Sequence, residues 1–250
     1  MRIGIAGYGY VGKAITECIQ DKHEVLINDP VQGHYADLQH ADAIIVCVST
    51  PRSPAGYCVM DNVYEVVEKA PNNIPILIKS TISLEGWRML IDTFPAKSLT
   101  FSPEFLRAET AIEDFKNTQT VLIGGNDTQY WSAFFVELLG AISVTTANAE
   151  DLIIAKYARN SYLALKVTYF NQLHDLCKEA GVDFEKVRKY VADDERIGYS
   201  HTNVTQERGY GGHCLPKDVD AFLHQAKGYN TELSLLEKAV KYNNKVRNEN

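Results

Sequence analysis

No apolar run in this 250-residue sequence approaches the roughly 18 residues needed to cross a bilayer. The first residues pass straight into a strand-like pattern, without the charged segment and cleavage site of a secretory leader. A soluble, cytoplasmic protein with no membrane partner is the expectation. The cysteines do not pair in pattern. The five, Cys18, Cys47, Cys58, Cys177 and Cys214, are odd in number and lack CxxC spacing, which argues against a disulfide framework and a zinc site and makes a reducing compartment the default. Basic residues are not in excess. At a net charge of −7 the chain has no electrostatic footprint for nucleic acid or an anionic membrane, although backbone amides can still hold an anionic ligand locally. Repeats, low-complexity segments and obvious flexible linkers are absent as well. What is there, 45% apolar and 23% charged residues, describes an ordinary globular protein of one large domain or two small ones.

The opening residues carry the first chemical signal. Arg2-Ile3-Gly4-Ile5-Ala6 reads as a short strand, Gly7-Tyr8-Gly9-Tyr10-Val11-Gly12 follows, and Val11, Ala14, Ile15, Cys18 and Ile19 keep helical spacing. This is G-x-G-x-x-G between a strand and a helix, the context a dinucleotide needs. Gly7 permits the turn, Gly9 lets a pyrophosphate reach the backbone, and Gly12 lets helix and strand pack closely. The next strand, from Glu24 to Asn28, ends at Asp29, 22 residues after Gly7. A carboxylate there accepts bonds from adenosine ribose hydroxyls and repels a 2′-phosphate, which favours NAD over NADP. Glycines that merely make a tight turn would leave the place of Asp29 a coincidence.

Strand and helix patterns then alternate. Ala43 to Val48 and Ile74 to Lys79 are apolar strands ending at Ser49-Thr50 and Ser80-Thr81. Helices are expected from Asp61, as a cap, through Lys69 and from Leu84 to Thr93. Leu99 to Phe101 leads into Ser102-Pro103-Glu104-Phe105-Leu106-Arg107. Thr120 to Ile123, a helix from about Thr128 to Leu139, and Ile142 to Thr145 complete the series. The alternation predicts an α/β Rossmann-type domain with a doubly wound parallel sheet over residues 1–147. Ligands lie beyond the carboxyl ends of such strands, where Thr50, Ser80, Thr81 and Glu104 fall. The hydroxyl residues serve as helix caps about as often as they meet a ligand.

From residue 148 the alternation stops, and residues 148–250 are expected to form an all-helical domain for catalysis and dimerisation. A helix of about 30 residues is predicted from Asn148 to Ala180, apolar around much of its circumference, as helices in a domain core or a subunit interface are. Lys156 and Asn160 lie four apart on one face of it. Shorter helices are expected from Asp183 to Ala192, from Pro216 to about Ala226 and from Thr231 to Val246, with a polar loop over residues 193–208. The stretch Gly209-Tyr210-Gly211-Gly212-His213-Cys214-Leu215-Pro216-Lys217-Asp218 puts a thiol just ahead of a helix start, where the macrodipole favours a thiolate. A lone cysteine is more often a small buried hydrophobe, but a Gly-rich bend beside charges argues for a nucleophile.

Together the Gly7–Gly12 turn, Ser102–Arg107, Lys156-Tyr157-Ala158-Arg159-Asn160 and Gly209–Asp218 resemble the UDP-glucose/GDP-mannose dehydrogenase family, in the family's order and across nearly the whole chain. The resemblance implies NAD-dependent oxidation of the 6-hydroxyl of a nucleotide sugar to a carboxylate, as two oxidations at one site in a homodimer. It implies that Cys214 holds the aldehyde covalently and that Lys156, with Asn160, stabilises an oxyanion. Asp218 is then a base or water-positioning group, Glu104 assists thioester hydrolysis, and Thr81 meets the nicotinamide end or a catalytic water. Tyr10, Val11, Thr50, Ser80 and Lys217 join Gly7, Gly9, Gly12 and Asp29 as cofactor contacts. Phe105, Leu106, Arg107, Arg196, Asn203 and Gly211 join Glu104, Lys156 and Asn160 on the substrate. The chain departs from the family in having Ala108 where a second glutamate is common, in a short connection after Asp29, and in ending near Arg247, where a second nucleotide-binding domain is expected to be lacking. A single-step β-hydroxyacid-type dehydrogenase and an NAD-binding protein without turnover are the alternatives; the first needs no cysteine, so Cys214 separates it.

Overall fold

The computed structural model describes residues 1–212 and 214–248, which form two compact units. The first consists of Met1–Ser53 and Cys58–Lys156, the second of Pro54–Tyr57 and the chain from Tyr157 onward.

The first unit is built on an eight-stranded sheet. Its strands are β1 (Arg2–Ala6), β2 (Glu24–Asp29), β3 (His34–Tyr35), β4 (Ala43–Val46), β5 (Pro75–Ile78), β6 (Ser98–Phe101), β7 (Thr120–Gly125) and β8 (Ser143–Thr146), in the order β3-β2-β1-β4-β5-β6-β7-β8. Between them run helices α1 (Tyr10–Ile19), α2 (Asp61–Lys69), α3 (Leu84–Thr93), α4 (Ala111–Lys116) and α5 (Thr128–Leu139). All four residues of β4, Ala-Ile-Ile-Val, are buried, as a strand covered on both faces requires. One face of the sheet supplies Ile3, Ile5, Ile45 and Leu77 to a core that α1 closes with Ile15 and Ile19 and α5 with Trp131 and Phe135. Ser83 caps α3, its hydroxyl accepting from the Gly86 amide at 3.0 Å. Asp61, expected as a cap, is instead the first residue of α2, where its charge suits the positive helix end.

The Rossmann-type arrangement expected from the alternation is present, but two strand pairs are antiparallel, β2 with β3 and β6 with β7. A parallel β7 needs a crossover that returns the chain along the sheet. The connection from residue 102 to 119 carries a 3-10 turn, Ala108–Thr110, and the six-residue α4, about 9 Å of helix. The order reverses at β1, which lies between β2 and β4. In open α/β sheets ligands bind at such a reversal, beyond the carboxyl ends of the strands.

Helix α6 (Ala149–Glu179) has 31 residues, roughly 45 Å of length, and belongs to both units, dividing after Lys156. The second unit adds α7 (Phe184–Ala192), α8 (Leu215–Gly228) and α9 (Ser234–Asn248). Its core gathers Ala164, Tyr210, Val219 and Leu236, with Phe222 and Val240 packed around them, and the Tyr157 ring stacks on Phe222 at 6.0 Å. Asp183 caps α7 by accepting from the Glu185 and Lys186 amides. Helix α8 begins one residue before Pro216, which the first turn tolerates because the missing N–H would be unpaired there. Helix α9 begins three residues after the expected Thr231. Among the described residues no helix is long and apolar enough to cross a membrane, and no three His, Cys, Asp or Glu side chains gather as a metal site requires.

Candidate active site

The β1–α1 turn is held by contacts that only glycine permits. Gly7 has φ +91°, and a Cβ there would lie 2.7 Å from the backbone of Cys47 and Val48, just past β4. A Cβ on Gly12 would collide with the Gly7 carbonyl. Gly9 differs: it is the N-cap of α1 without a side-chain cap, and a Cβ there meets nothing within 4 Å. The first turn of α1 therefore opens onto free space. Asp29 closes the other side, with Oδ2 accepting from the Tyr8 amide at 2.7 Å and Oδ1 from the Gln32 amide at 3.2 Å. Gln32 also donates to the Tyr8 carbonyl at 2.7 Å, so the glycine turn is clamped to the end of β2. A carboxylate offers about four lone-pair sites, and two of those on Asp29 remain for ribose hydroxyls. Space at a helix N-terminus for a diphosphate, with a carboxylate beside it, fits a dinucleotide.

At the later strand ends Thr50 is buried, and the Ser80 hydroxyl donates to the Val48 carbonyl at 2.7 Å. The Thr81 carbonyl accepts from the Cys58 thiol. Burial pushes the Cys47 thiol up to about 12, although the Lys79 ammonium pulls the other way. Lys79 is 5% exposed. Its Nζ lies 3.0 Å from Glu104 Oε2, donates to Ser102 Oγ at 3.2 Å, and stands 5.7 Å over the Phe135 ring. Glu104 Oε1 accepts from the Phe105 amide at 2.7 Å. Lys156, also buried, donates to the Glu104 backbone carbonyl at 2.8 Å and lies 5.6 Å over the Phe105 ring. Three of the residues singled out in the sequence, Glu104, Phe105 and Lys156, thus meet, while Leu106 packs on the core. Arg107 does not join them. Its guanidinium pairs with Asp114 at 2.5 and 3.0 Å, and this pairing holds the Asp114 carboxyl well below the usual carboxylate range.

The second unit holds the other group. Asn160 Nδ2 donates to Asp218 Oδ2 at 2.6 Å and Lys217 Nζ donates to Asp218 Oδ1 at 2.7 Å, with Asp218 only 1% exposed. Cys214, in no disulfide, is the N-cap of α8, and its carbonyl accepts from the Asp218 amide at 3.0 Å. The carboxylate therefore sits one turn beyond the thiol. Two buried asparagines fasten the loop that leads to it. Asn171 Oδ1 accepts from the Gly209 amide and from Arg208 Nε, both at 2.9 Å. The Asn243 amide pairs in both directions with the Tyr210 backbone, at 2.7 and 3.1 Å. The Arg247 guanidinium stands over Gly211, where a Cβ would lie 2.7 Å from it. His213 of this stretch lies outside the described residues. Arg196 is exposed and paired with Asp194 at 2.5 Å, and Asn203 is exposed in the loop before Arg208.

Lys79, Asn171, Asn243 and Arg208 do not stand out in the sequence. Lys79 has a signal there, since a lysine ending an otherwise apolar strand is buried only with a partner. The asparagines have none, because each acts on backbone groups more than 30 residues away.

Residues 30–139 match the family model for the NAD binding domain of the UDP-glucose/GDP-mannose dehydrogenase family, and residues 149–245 match that for its central domain. The UDP-glucose 6-dehydrogenase of Rickettsia felis is 32% identical over 221 residues, which cover 83% of this chain and 48% of that protein. The chain spans about half the length of the curated Rickettsia relatives it matches. A UDP-glucose dehydrogenase structure from Pyrobaculum islandicum superposes with a TM-score of 0.83 at 24% identity, over 97% of this chain and 68% of that one. The 3-hydroxyisobutyrate dehydrogenase of Mycobacterium tuberculosis shares the fold at a TM-score of 0.72 and 15% identity, over 96% of this chain and 92% of that one.

Proposed function

Because the chain belongs to the UDP-glucose/GDP-mannose dehydrogenase family, we propose that it is an NAD-dependent dehydrogenase that takes the 6-hydroxyl of a nucleotide sugar, of the UDP-glucose type, to a carboxylate. The observation that carries the reading is the Asn160–Asp218–Lys217 cluster one turn into the helix that Cys214 caps. Oxidation of an alcohol in a single step needs no thiol, whereas retaining an aldehyde for a second oxidation does.

Residues 1–147 bind the cofactor. The α1 N-terminus takes the diphosphate at Gly9, Tyr10 and Val11, Gly7 and Gly12 keep the turn tight, and Asp29 accepts from the ribose. Thr50, Ser80 and Thr81 follow along the strand ends, with Lys217 as a further contact. NAD held by these residues would supply the hydride acceptor for each of the two oxidations. Residues 148–250, with Glu104 from the first domain, carry the chain's own chemistry. Asp218 accepts a proton, and Lys156 with Asn160 donates to the developing oxyanion. The Cys214 sulfur bonds the aldehyde carbon, which stays attached as a thiohemiacetal and then as a thioester. Glu104 activates the water that releases the product. Phe105, Leu106 and Gly211 contact the sugar nucleotide together with Asn203. Arg107 and Arg196 reach it only by leaving Asp114 and Asp194. A homodimer through α6 is supported by Tyr162, Tyr169 and Leu176, which are 63%, 58% and 64% exposed and fall on one helical line at intervals of seven. Cysteines in no disulfide suit a cytoplasmic setting.

The test offers the protein NAD with UDP-glucose, GDP-mannose and UDP-N-acetyl sugars and follows NADH. Two NADH per sugar with one of them, abolished in Cys214→Ser, is the expected outcome. One NADH per substrate with full activity in that variant would move the protein to the β-hydroxyacid dehydrogenases, whose fold it shares. NAD binding by calorimetry without NADH from any sugar would leave a binding protein only.

A further inference from the structure

Two buried lysines meet Glu104, and only one of them, Lys156, has a task in the reaction proposed above. Lys156 donates to the Glu104 backbone. The side-chain carboxylate is held by Lys79, whose Nζ is 3.0 Å from Oε2, while the Phe105 amide holds Oε1 at 2.7 Å. An ion pair on one oxygen and a backbone donor on the other set both the place and the plane of a carboxylate. Lys79 is itself immobilised. It follows β5 directly, its side chain is 4% exposed, the Ser102 hydroxyl accepts from it at 3.2 Å, and the Phe135 ring lies beneath it. Its ammonium is thus a rigid anchor on the buried Oε2 rather than a mobile surface charge, and Oε1 keeps a lone pair that the Phe105 amide leaves open.

We infer that Lys79 is a positioning residue: it fixes the Glu104 carboxylate through Oε2 so that the open lone pair of Oε1 meets the attacking water. The inference rests on the reading of Glu104 as the base of thioester hydrolysis. In that step the carboxylate takes a proton from water as the water oxygen bonds the acyl carbon. The carbon–sulfur bond then breaks, sulfur keeps the electron pair and leaves as the Cys214 thiolate, and the acyl group departs as a carboxylic acid. A base displaced by about 1 Å loses on the order of 10²-fold in such a step, while the preceding oxidations proceed.

The test uses the full chain with NAD and UDP-glucose and compares Lys79→Met, Lys79→Arg and Glu104→Gln. In Lys79→Met the thioester accumulates, seen as added mass on the Cys214 peptide and as a burst of NADH before a steady state slowed by about 10²-fold. KM for UDP-glucose and Kd for NAD stay within about twofold, and Lys79→Arg recovers part of the rate. A lysine with a merely structural role lowers the melting temperature and leaves no adduct, which overturns the inference. Accumulation in Glu104→Gln but not in Lys79→Met overturns it while leaving Glu104 as the base. No adduct in Glu104→Gln sinks the reading of Glu104 itself. A crystal structure of Lys79→Met decides the matter without turnover, since a Glu104 carboxylate that keeps its place there refutes positioning by Lys79.

Discussion

Alanine at Gly7 and alanine at Gly9 separate the two jobs of the glycine turn. At Gly7 the backbone has φ +91°, which costs an L-residue about 1–2 kcal/mol, and the new Cβ falls 2.7 Å from the backbone of Cys47 and Val48. Backbone beside β4 gives way less readily than a side chain, so overpacking adds about 1–3 kcal/mol. The sum, roughly 2–5 kcal/mol, lowers the melting temperature by roughly 5–20 °C for a chain of this size. Gly9 has φ −69° and ψ −165°, which alanine adopts without strain, and its Cβ meets nothing within 4 Å. Stability therefore holds within about 1 kcal/mol in Gly9→Ala. The methyl group nevertheless fills the space into which a diphosphate must come, and NAD affinity falls at least tenfold, about 1.4 kcal/mol. Thermal melts and calorimetric NAD titrations on the same preparations read both effects. A Gly7→Ala protein melting within about 2 °C of wild type would refute the packing argument, and unchanged NAD affinity in Gly9→Ala would refute the cradle.

Three further outcomes follow from single contacts. Asn243→Ala strips the Tyr210 amide and carbonyl of their partners inside the second unit, at a cost of about 2–4 kcal/mol; denaturant unfolding that shows less than 1 kcal/mol contradicts the assignment. Iodoacetamide at pH 7.5 modifies Cys214 before Cys47, whose thiol burial holds protonated up to about 12, and peptide mass analysis that finds Cys47 modified first reverses this. Asp114→Asn lowers the melting temperature at pH 7, because Arg107 depresses the folded carboxyl below its unfolded range. That stabilisation is complete above about pH 4 and disappears as the pH falls through the lower folded value, so the gap between variant and wild type should close on acidification. A gap that widens in acid is the contrary result.

Local signals make most of the first unit legible in the sequence. Continuous apolar strands such as 43–46 need two covered faces, and the glycine turn with Asp29 has one physical explanation that uses all of its parts. Long-range pairing is another matter. The antiparallel β7 is one case, since Thr120 to Ile123 carries no mark of strand direction. The family resemblance puts Arg107 on the substrate, yet Asp114 seven residues on claims it. The amides of Asn171 and Asn243 hold backbone at positions 209 and 210, and nothing in the composition around either asparagine indicates such a bond. Lys79 falls between these cases, since its strand can be read from the apolar run and its partner, 25 residues on at Glu104, cannot.

The cluster at Glu104 also bears on whether the chain retains chemistry or only a fold. Lys79 and Lys156 are 5% and 6% exposed, and each is held at Glu104. Burying charge is costly even when it is paired, and replacing a buried ion pair with apolar groups of similar size is often neutral or stabilising by about 1–4 kcal/mol. A protein that needed the sheet alone would be as well served by methionine and leucine at Lys79 and Glu104. The double variant Lys79→Met/Glu104→Leu should therefore melt no lower than wild type, while Lys79→Met alone, which strands a carboxylate, melts lower. If the double variant instead loses as much stability as the single one, the pair is there for the fold, and the case that it serves catalysis falls with it.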